Sequence, residues 1–254
     1  MEFGADIEIT YVMGGLAREF DDLPGLVMSW LDHAAESGMP LDPRIWSGDS
    51  PRSSYPACIA CKAAAEQGPE AAARYLRALR EGFMCHRRKL DAPEALVEEA
   101  RRTGLDAQRF RIDLESHATL EAFGSDLEET RTITDAAREA GLAAEGTHGS
   151  KIERLQFPAL RLTPDGGGDD LWVGGHHSYD DWRAAVTAAG ATPATDGRPD
   201  VPGALARFGR MATAELAAVC DLPGPRAGAE AWRMAGDWQA KRIPVLFGEL
   251  WEPA

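Results

Sequence analysis

Asp6-Ile-Glu-Ile-Thr-Tyr-Val-Met-Gly-Gly-Leu16 is the stretch on which the reading of this chain turns. Ile7, Ile9 and Tyr11 alternate with Glu8 and Thr10, the period-two pattern of a strand with one face against a core. Gly14-Gly15 then stop the run. The pattern predicts a strand placed almost at residue one.

Outward from that strand, Leu26, Trp30, Leu31 and Ala34 recur at helical spacing. Pro24 suits the first turn and Gly38 the C-terminal stop, which predicts a short helix over 24–38. Residues 39–54 carry Pro40, Pro43, Gly48 and Pro51 without a clean period and read as loop. From Tyr55 to about Ala140 the chain is rich in Ala, Leu, Glu and Arg, with breaks at Gly68-Pro69, Leu90-Asp91 and Gly104, a pattern for four or five helices. Asp91 and Glu94 have capping-box spacing around Pro93. The character then changes. Ala159-Leu-Arg-Leu-Thr163, the turn Pro164-Asp-Gly-Gly-Gly168 and Leu171-Trp-Val173 predict a β-hairpin, followed by a helix over 179–189. Residues 190–201 read as a linker. Three short helices follow, over 202–209, 212–222 and 225–238. The second and third have helix-turn-helix spacing, and residues 242–250 suit a wing-like hairpin.

Three stretches carry a resemblance: Ser53-Ser-Tyr-Pro-Ala-Cys-Ile-Ala-Cys-Lys-Ala-Ala64, Gly68-Pro-Glu-Ala-Ala-Ala-Arg-Tyr-Leu-Arg-Ala-Leu-Arg80 and Leu155-Gln-Phe-Pro-Ala-Leu160. Together they resemble the DsbA-like (FrnE-type) branch of the thioredoxin superfamily, over residues 5–190. Members of that branch open with a strand, a Cys-x-x-Cys at a helix start, that helix, and then a strand ending in Gly-Gly-Leu, matched here by Gly14-Gly15-Leu16. The opening strand and redox helix are missing from this sequence. In the family that first strand lies inside the sheet, so its loss removes the middle of the sheet. Three explanations arise: a true start upstream, a decayed relative, or another element or partner that completes the sheet; the first is the expectation.

The resemblance therefore implies an α/β, thioredoxin-like fold with a large helical insertion, lacking its first βα unit, plus a small, mainly helical, winged-helix-like C-terminal domain. The expected division is 1–26 and 148–190 for the two thioredoxin-like parts, 27–147 for the insertion, 191–201 for the linker and 202–254 for the C-terminal domain. It also implies a cis bond at Phe157-Pro158, whose bend lets an extended peptide pair beside it; the plain alternative is a trans proline at a strand start.

Composition narrows the function classes. With 254 residues, 44% of them hydrophobic, the chain can bury one large or two smaller cores. Twenty-seven Lys and Arg against 41 Asp and Glu give a formal charge of -14, which repels nucleic acid and anionic lipid. In the C-terminal part, Arg207, Arg210, Arg226, Arg233, Lys241 and Arg242 are offset by Glu215, Asp221, Glu230, Asp237, Glu249 and Glu252, so no DNA-binding face is expected. No apolar run approaches the ~18 residues of a membrane helix and no leader is legible, so the expected location is the cytoplasm, with the four cysteines reduced.

Cys58-Ile-Ala-Cys61 is the one pair with redox spacing, and Pro56 places Cys58 near a helix start, where exposed N–H groups favour a thiolate. The context differs from a thioredoxin motif, because Asp49 to Ser54 is loop and no strand precedes it. The alternative is two small packing side chains. Zinc held by Cys58, Cys61, Cys85 and His86 is opposed by Arg87, Arg88 and Lys89. His176 and His177 with Asp180 and Asp181 read better as a loop leading into a helix N-terminus. Gly146-Thr-His-Gly-Ser-Lys151 lacks the order of a phosphate loop, and no nucleophile elbow supports a hydrolase.

The leading expectation, implied by the resemblance, is a thiol-disulfide oxidoreductase of the DsbA family acting on a protein or small-molecule thiol, its own catalytic cysteines absent from this sequence. The alternative is a redox-inactive binding or adaptor module. Phe157 and Pro158 are the residues carried over as substrate-binding, with Cys58 and Cys61 the weaker catalytic candidates. No cofactor is expected, and the oligomeric state stays open.

Overall fold

A computed structural model describes residues 2–145, 152–175, 177–194 and 197–254. In chain order these form α1 (Leu23–Ser37), α2 (Tyr55–Ala65), α3 (Pro69–Met84), α4 (Pro93–Arg102), α5 (Ala107–Leu114), α6 (His117–Arg131) and the short α7 (Asp135–Glu139). Strands β1 (Ala143–Ala144), β2 (Arg154–Leu155), β3 (Ala159–Leu162) and β4 (Leu171–Gly174) lead into α8 (Tyr179–Ala188). The chain ends in α9 (Val201–Phe208), β5 (Met211–Ala212), α10 (Thr213–Cys220), α11 (Gly224–Gly236), β6 (Ala240–Pro244) and β7 (Glu249–Pro253). It divides into two compact units, residues 1–22, 50–81 and 89–194 in one, and 23–49, 82–88 and 195–254 in the other.

In the first unit, α2 buries Ala60, Cys61, Ala63 and Ala64. Small side chains on that face let neighbouring helices approach closely, and Tyr75 and Phe110 fill the centre with ring centroids 5.0 Å apart. Both are fully buried. The Tyr75 hydroxyl donates to Leu96 O at 2.9 Å, so the polar tip of the ring is satisfied inside the core. A second cluster, Ala137, Leu142 and Leu155 with Phe157 and Trp172 packed on it, joins α7 to the strands. The expected hairpin is present: β3 and β4 pair antiparallel, Ala159 opposite Gly174 and Leu162 opposite Leu171. Ser178 and Asp181 form a reciprocal capping box that starts α8.

Four local expectations need correction. Residues 7–13 take no helix or turn and join no β-ladder among the described residues, and Ile7, Ile9 and Tyr11 are exposed. Alternation marks a chain able to form a strand; the ladder needs a neighbour, and the described chain places none beside it. The helical block contains six helices, because the segment after Arg131 closes one further short turn, α7, capped by Thr134 Oγ1. Asp91 does not cap α4, which has Ala92 at its N-cap; the Asp91 carboxylate instead accepts the Arg52 N–H at 2.8 Å. Residues 27–49, expected within the insertion, belong to the second unit. There Leu41 and Phe247 exchange two backbone hydrogen bonds of 3.0 Å, and Trp30, Trp46 and Phe83 pack edge to face.

The second unit has its own core of Val201, Leu205, Met211, Leu216, Ala227, Ala231 and Trp251. Its three-stranded sheet has the order β5-β7-β6, and β6 and β7 form the wing-like hairpin expected from sequence. The Trp251 indole N–H donates to Thr213 Oγ1 at 2.8 Å, fixing β7 on α10.

Candidate functional site

The Phe157-Pro158 peptide bond is cis. Phe157 is half-buried and Pro158 is exposed, so the ring faces inward while the proline stands at the surface. The Gly175 N–H donates to Pro158 O at 2.9 Å, which holds the bend on the end of β4.

Gly14 supplies the facing wall. A Cβ built on it would lie 2.0 Å from Phe157 Cζ, so only a glycine lets the backbone approach the ring this closely. The Arg154 guanidinium sits over the same ring, 4.8 Å from its centroid, a cation–π contact. Gly15 has φ +58, and a Cβ there would meet Leu127 at 2.7 Å and Tyr55 at 2.9 Å. The two glycines thus serve different ends: close approach at Gly14, left-handed backbone and close approach at Gly15.

Cys58 and Cys61 lie on α2 behind this wall, far from the reactive setting of a redox motif. Burial pushes the Cys58 thiol up to about 11, with the Asp126 charge adding to the rise and a hydrogen bond from the Gly15 backbone opposing it. Burial, followed by the charge of Cys58, pushes Cys61 up to about 12. The Cys58 N–H is already bonded to Ser54 O at 3.1 Å, so it is no longer a free helix-end donor. Both cysteines are free thiols.

Asp126 was not legible as a site residue. Its Oδ2 accepts the Met13 N–H at 2.7 Å and its Oδ1 accepts from Lys62 Nζ at 2.9 Å. With 7% exposure it is a buried polar group fully used as a fastener, tying α6 and α2 to the backbone just before Gly14. A charged residue inside a helix that otherwise reads as solvated gave no sequence signal. Arg154 over Phe157 was equally hidden, since cation–π partners have no fixed spacing.

Among the described residues no three His, Cys, Asp or Glu side chains cluster as metal ligands. His177 instead bonds Gly174 O at 2.9 Å and packs edge to face on Trp182. Cys85 donates to Pro40 O at 3.3 Å. His176 and the stretch Gly146–Lys151 lie outside the described residues. No described helix is long and apolar enough to cross a membrane.

A family model described as thioredoxin matches residues 1–134. Among solved structures, a putative protein disulfide isomerase from Nitrosomonas europaea superposes with a TM-score of 0.54 at 15% identity, covering 69% of this chain and 78% of that one. This likeness shows a thioredoxin-like fold. Two relatives bear the name ClpXP adapter protein SpxH. The one from Halalkalibacterium halodurans is 24% identical over 262 residues, covering 99% of this chain and 80% of the relative. That from Bacillus subtilis is 27% identical over 230 residues, covering 89% and 71%.

Proposed function

The chain belongs to the thioredoxin family, and from that premise we propose that it is a redox-inactive adaptor, holding one protein beside Pro158 and bringing it to ClpXP. The observation that carries this reading is the state of the Cys58 and Cys61 thiols. Thiol-disulfide exchange starts from a thiolate, and thiols held at about 11 and about 12 are protonated at neutral pH. The pair therefore serves as packing on α2, and the docking half of the family's site, beside Pro158, is the part this reading puts to use. The names of the relatives favour the same reading.

The ligand beside Pro158 is an extended peptide of a partner protein. β3 has a strand partner only on its β4 side among the described residues, and Leu160 and Leu171 are exposed on that hairpin, as are Ile7, Ile9 and Tyr11 in the segment before Gly14. Backbone edges next to exposed apolar side chains suit strand addition, where main-chain bonds give affinity and alternate side chains give selectivity. Such an adaptor works in the cytoplasm, where its thiols stay reduced.

Two assays with the purified full chain test this. Binding to purified ClpXP without insulin reduction is the expected result. Insulin reduction that disappears in both Cys58→Ala and Cys61→Ala would restore the oxidoreductase reading.

A further inference from the structure

The opening segment of the first unit is fastened at both ends and bonded nowhere between. At its start, the Glu2 carboxylate accepts from the Tyr179 hydroxyl at 2.5 Å and from Arg183 Nε, both on α8. The Ala194 N–H donates to Glu2 O at 2.5 Å, and the Thr192 N–H donates to Asp6 Oδ2 at 3.1 Å. At its end, Asp126 holds the Met13 N–H at 2.7 Å and Gly14 lies against the Phe157 ring. Residues 7–12 make no main-chain hydrogen bond to any described residue.

Ile7 leaves the first fastener with extended backbone, φ -133 and ψ 139. In a segment that continues so, alternation puts Ile7, Ile9 and Tyr11 on one side and Glu8 and Thr10 on the other. Ile9 is 60% exposed, and Glu8 is exposed with no ion-pair or hydrogen-bond partner among the described residues. Apolar side chains in water favour collapse onto the chain. The two fasteners hold this segment out instead.

The unpaired groups decide what fits it. Successive main-chain N–H and C=O groups are matched together only by another extended backbone, because a helix has used its own internally. Glu8 and the -14 net charge repel a phosphate, a nucleic acid or a second copy of the chain. The same carboxylate attracts a Lys or Arg placed across from it. Fastening the segment in advance lowers the ordering cost of such pairing.

We propose that residues 7–12 are a strap to which an extended segment of the partner protein adds as a strand, its apolar side chains against Ile7, Ile9 and Tyr11 and a Lys or Arg opposite Glu8. This rests on the adaptor reading and deepens it: the strap ends at Phe157, so a peptide paired with it runs to the cis bend beside Pro158.

The test pans a phage library of linear dodecapeptides on the purified full chain and, separately, on Glu8→Lys. An enriched peptide is then synthesised, and its effect on amide hydrogen exchange of the wild type is measured. The wild type is expected to enrich alternating apolar residues with Lys or Arg between them, and Glu8→Lys to exchange those for Asp or Glu. The wild-type peptide should bind Glu8→Lys about fivefold more weakly, and it should slow exchange at residues 7–12. Because Glu8 has no partner, Glu8→Lys should melt with the wild type; a lower melting temperature would give Glu8 a structural role and overturn the proposal. Exchange slowed at Ala159 and Arg161 but not at residues 7–12 overturns the strap and leaves docking on β3 standing. Exchange slowed at neither place, or no enrichment at all, overturns the strap and the docking reading together, and neither result depends on the variant. The same basic consensus on both proteins overturns selection by Glu8. Wild-type self-association in light scattering that Glu8→Lys abolishes overturns the proposal in favour of a second copy.

Discussion

Gly14 lies so close to the ring of Phe157 that a methyl group on its Cα would stand 2.0 Å from Cζ. This contact joins the Gly-Gly-Leu segment to the cis-proline bend across 143 positions of chain, and it makes the glycine a packing residue as much as a turn residue.

Gly14→Ala is expected to destabilise the protein by about 1–3 kcal/mol, the usual cost of overpacking. In a Phe157→Ala background the added methyl enters the space left by the ring, so its cost shrinks or reverses. Denaturant unfolding of the two single variants and the double variant reads this coupling. Additive effects would mean that the two residues do not touch in solution.

Stability is expected to fall as pH rises from about 9 towards 11 and 12, with a part of the fall due to the cysteine pair. A thiol whose folded pKa is raised binds its proton more tightly in the folded state, so its contribution is complete below the unfolded pKa and is lost as pH climbs through the folded values. Cys58→Ala and Cys61→Ala should flatten the alkaline limb of a urea-midpoint titration. At pH 8, iodoacetamide should label both thiols slowly in the native protein and rapidly in urea.

Asp126→Ala leaves Lys62 without its partner and the Met13 N–H without an acceptor. Breaking a fully buried pair costs about 3–5 kcal/mol, and the 22% exposure of the Lys62 side chain lets water repay part of it, so about 2–3 kcal/mol is expected. Peptide binding beside Pro158 should weaken as well, because the Met13 bond positions Gly14. Hydrogen exchange of the Met13 amide in Asp126→Ala checks the link: protection unchanged from wild type would remove Asp126 from the account.

In the second unit, Arg44 beside Asp42 holds that carboxylate below its ordinary range, with burial opposing and Arg87 assisting. A depressed carboxylate contributes stability that is present above its unfolded pKa and lost as pH falls through the folded one. Asp42→Asn should therefore lower stability at pH 7 and narrow the gap to wild type below about pH 4, measured by thermal melting at the two values.

Local features were legible. The Pro164-Asp-Gly-Gly-Gly168 turn between alternating runs located the β3–β4 hairpin, and Pro24 and Gly38 framed α1, because turn chemistry and periodicity act over a few residues. The motif Phe157-Pro158 was legible through family resemblance, as was the thioredoxin-like fold. Asp91 misled, since capping-box spacing says nothing of Arg52, whose N–H reaches the same carboxylate from 39 positions away.

By itself the sequence determined the helical character of most of the chain, where the hairpin turns, and that Gly14-Gly15 end the opening run. Tertiary structure alone decided that residues 7–13 pair with no strand among the described residues, that Cys61 is buried and Cys58 half-buried, both with raised pKa values, and that Asp126 fastens Met13. The physical reason is range. Periodicity and capping are set by neighbours within a turn, whereas burial, ladder pairing and the Met13–Asp126 bond, 113 residues apart, exist only once the chain has closed on itself.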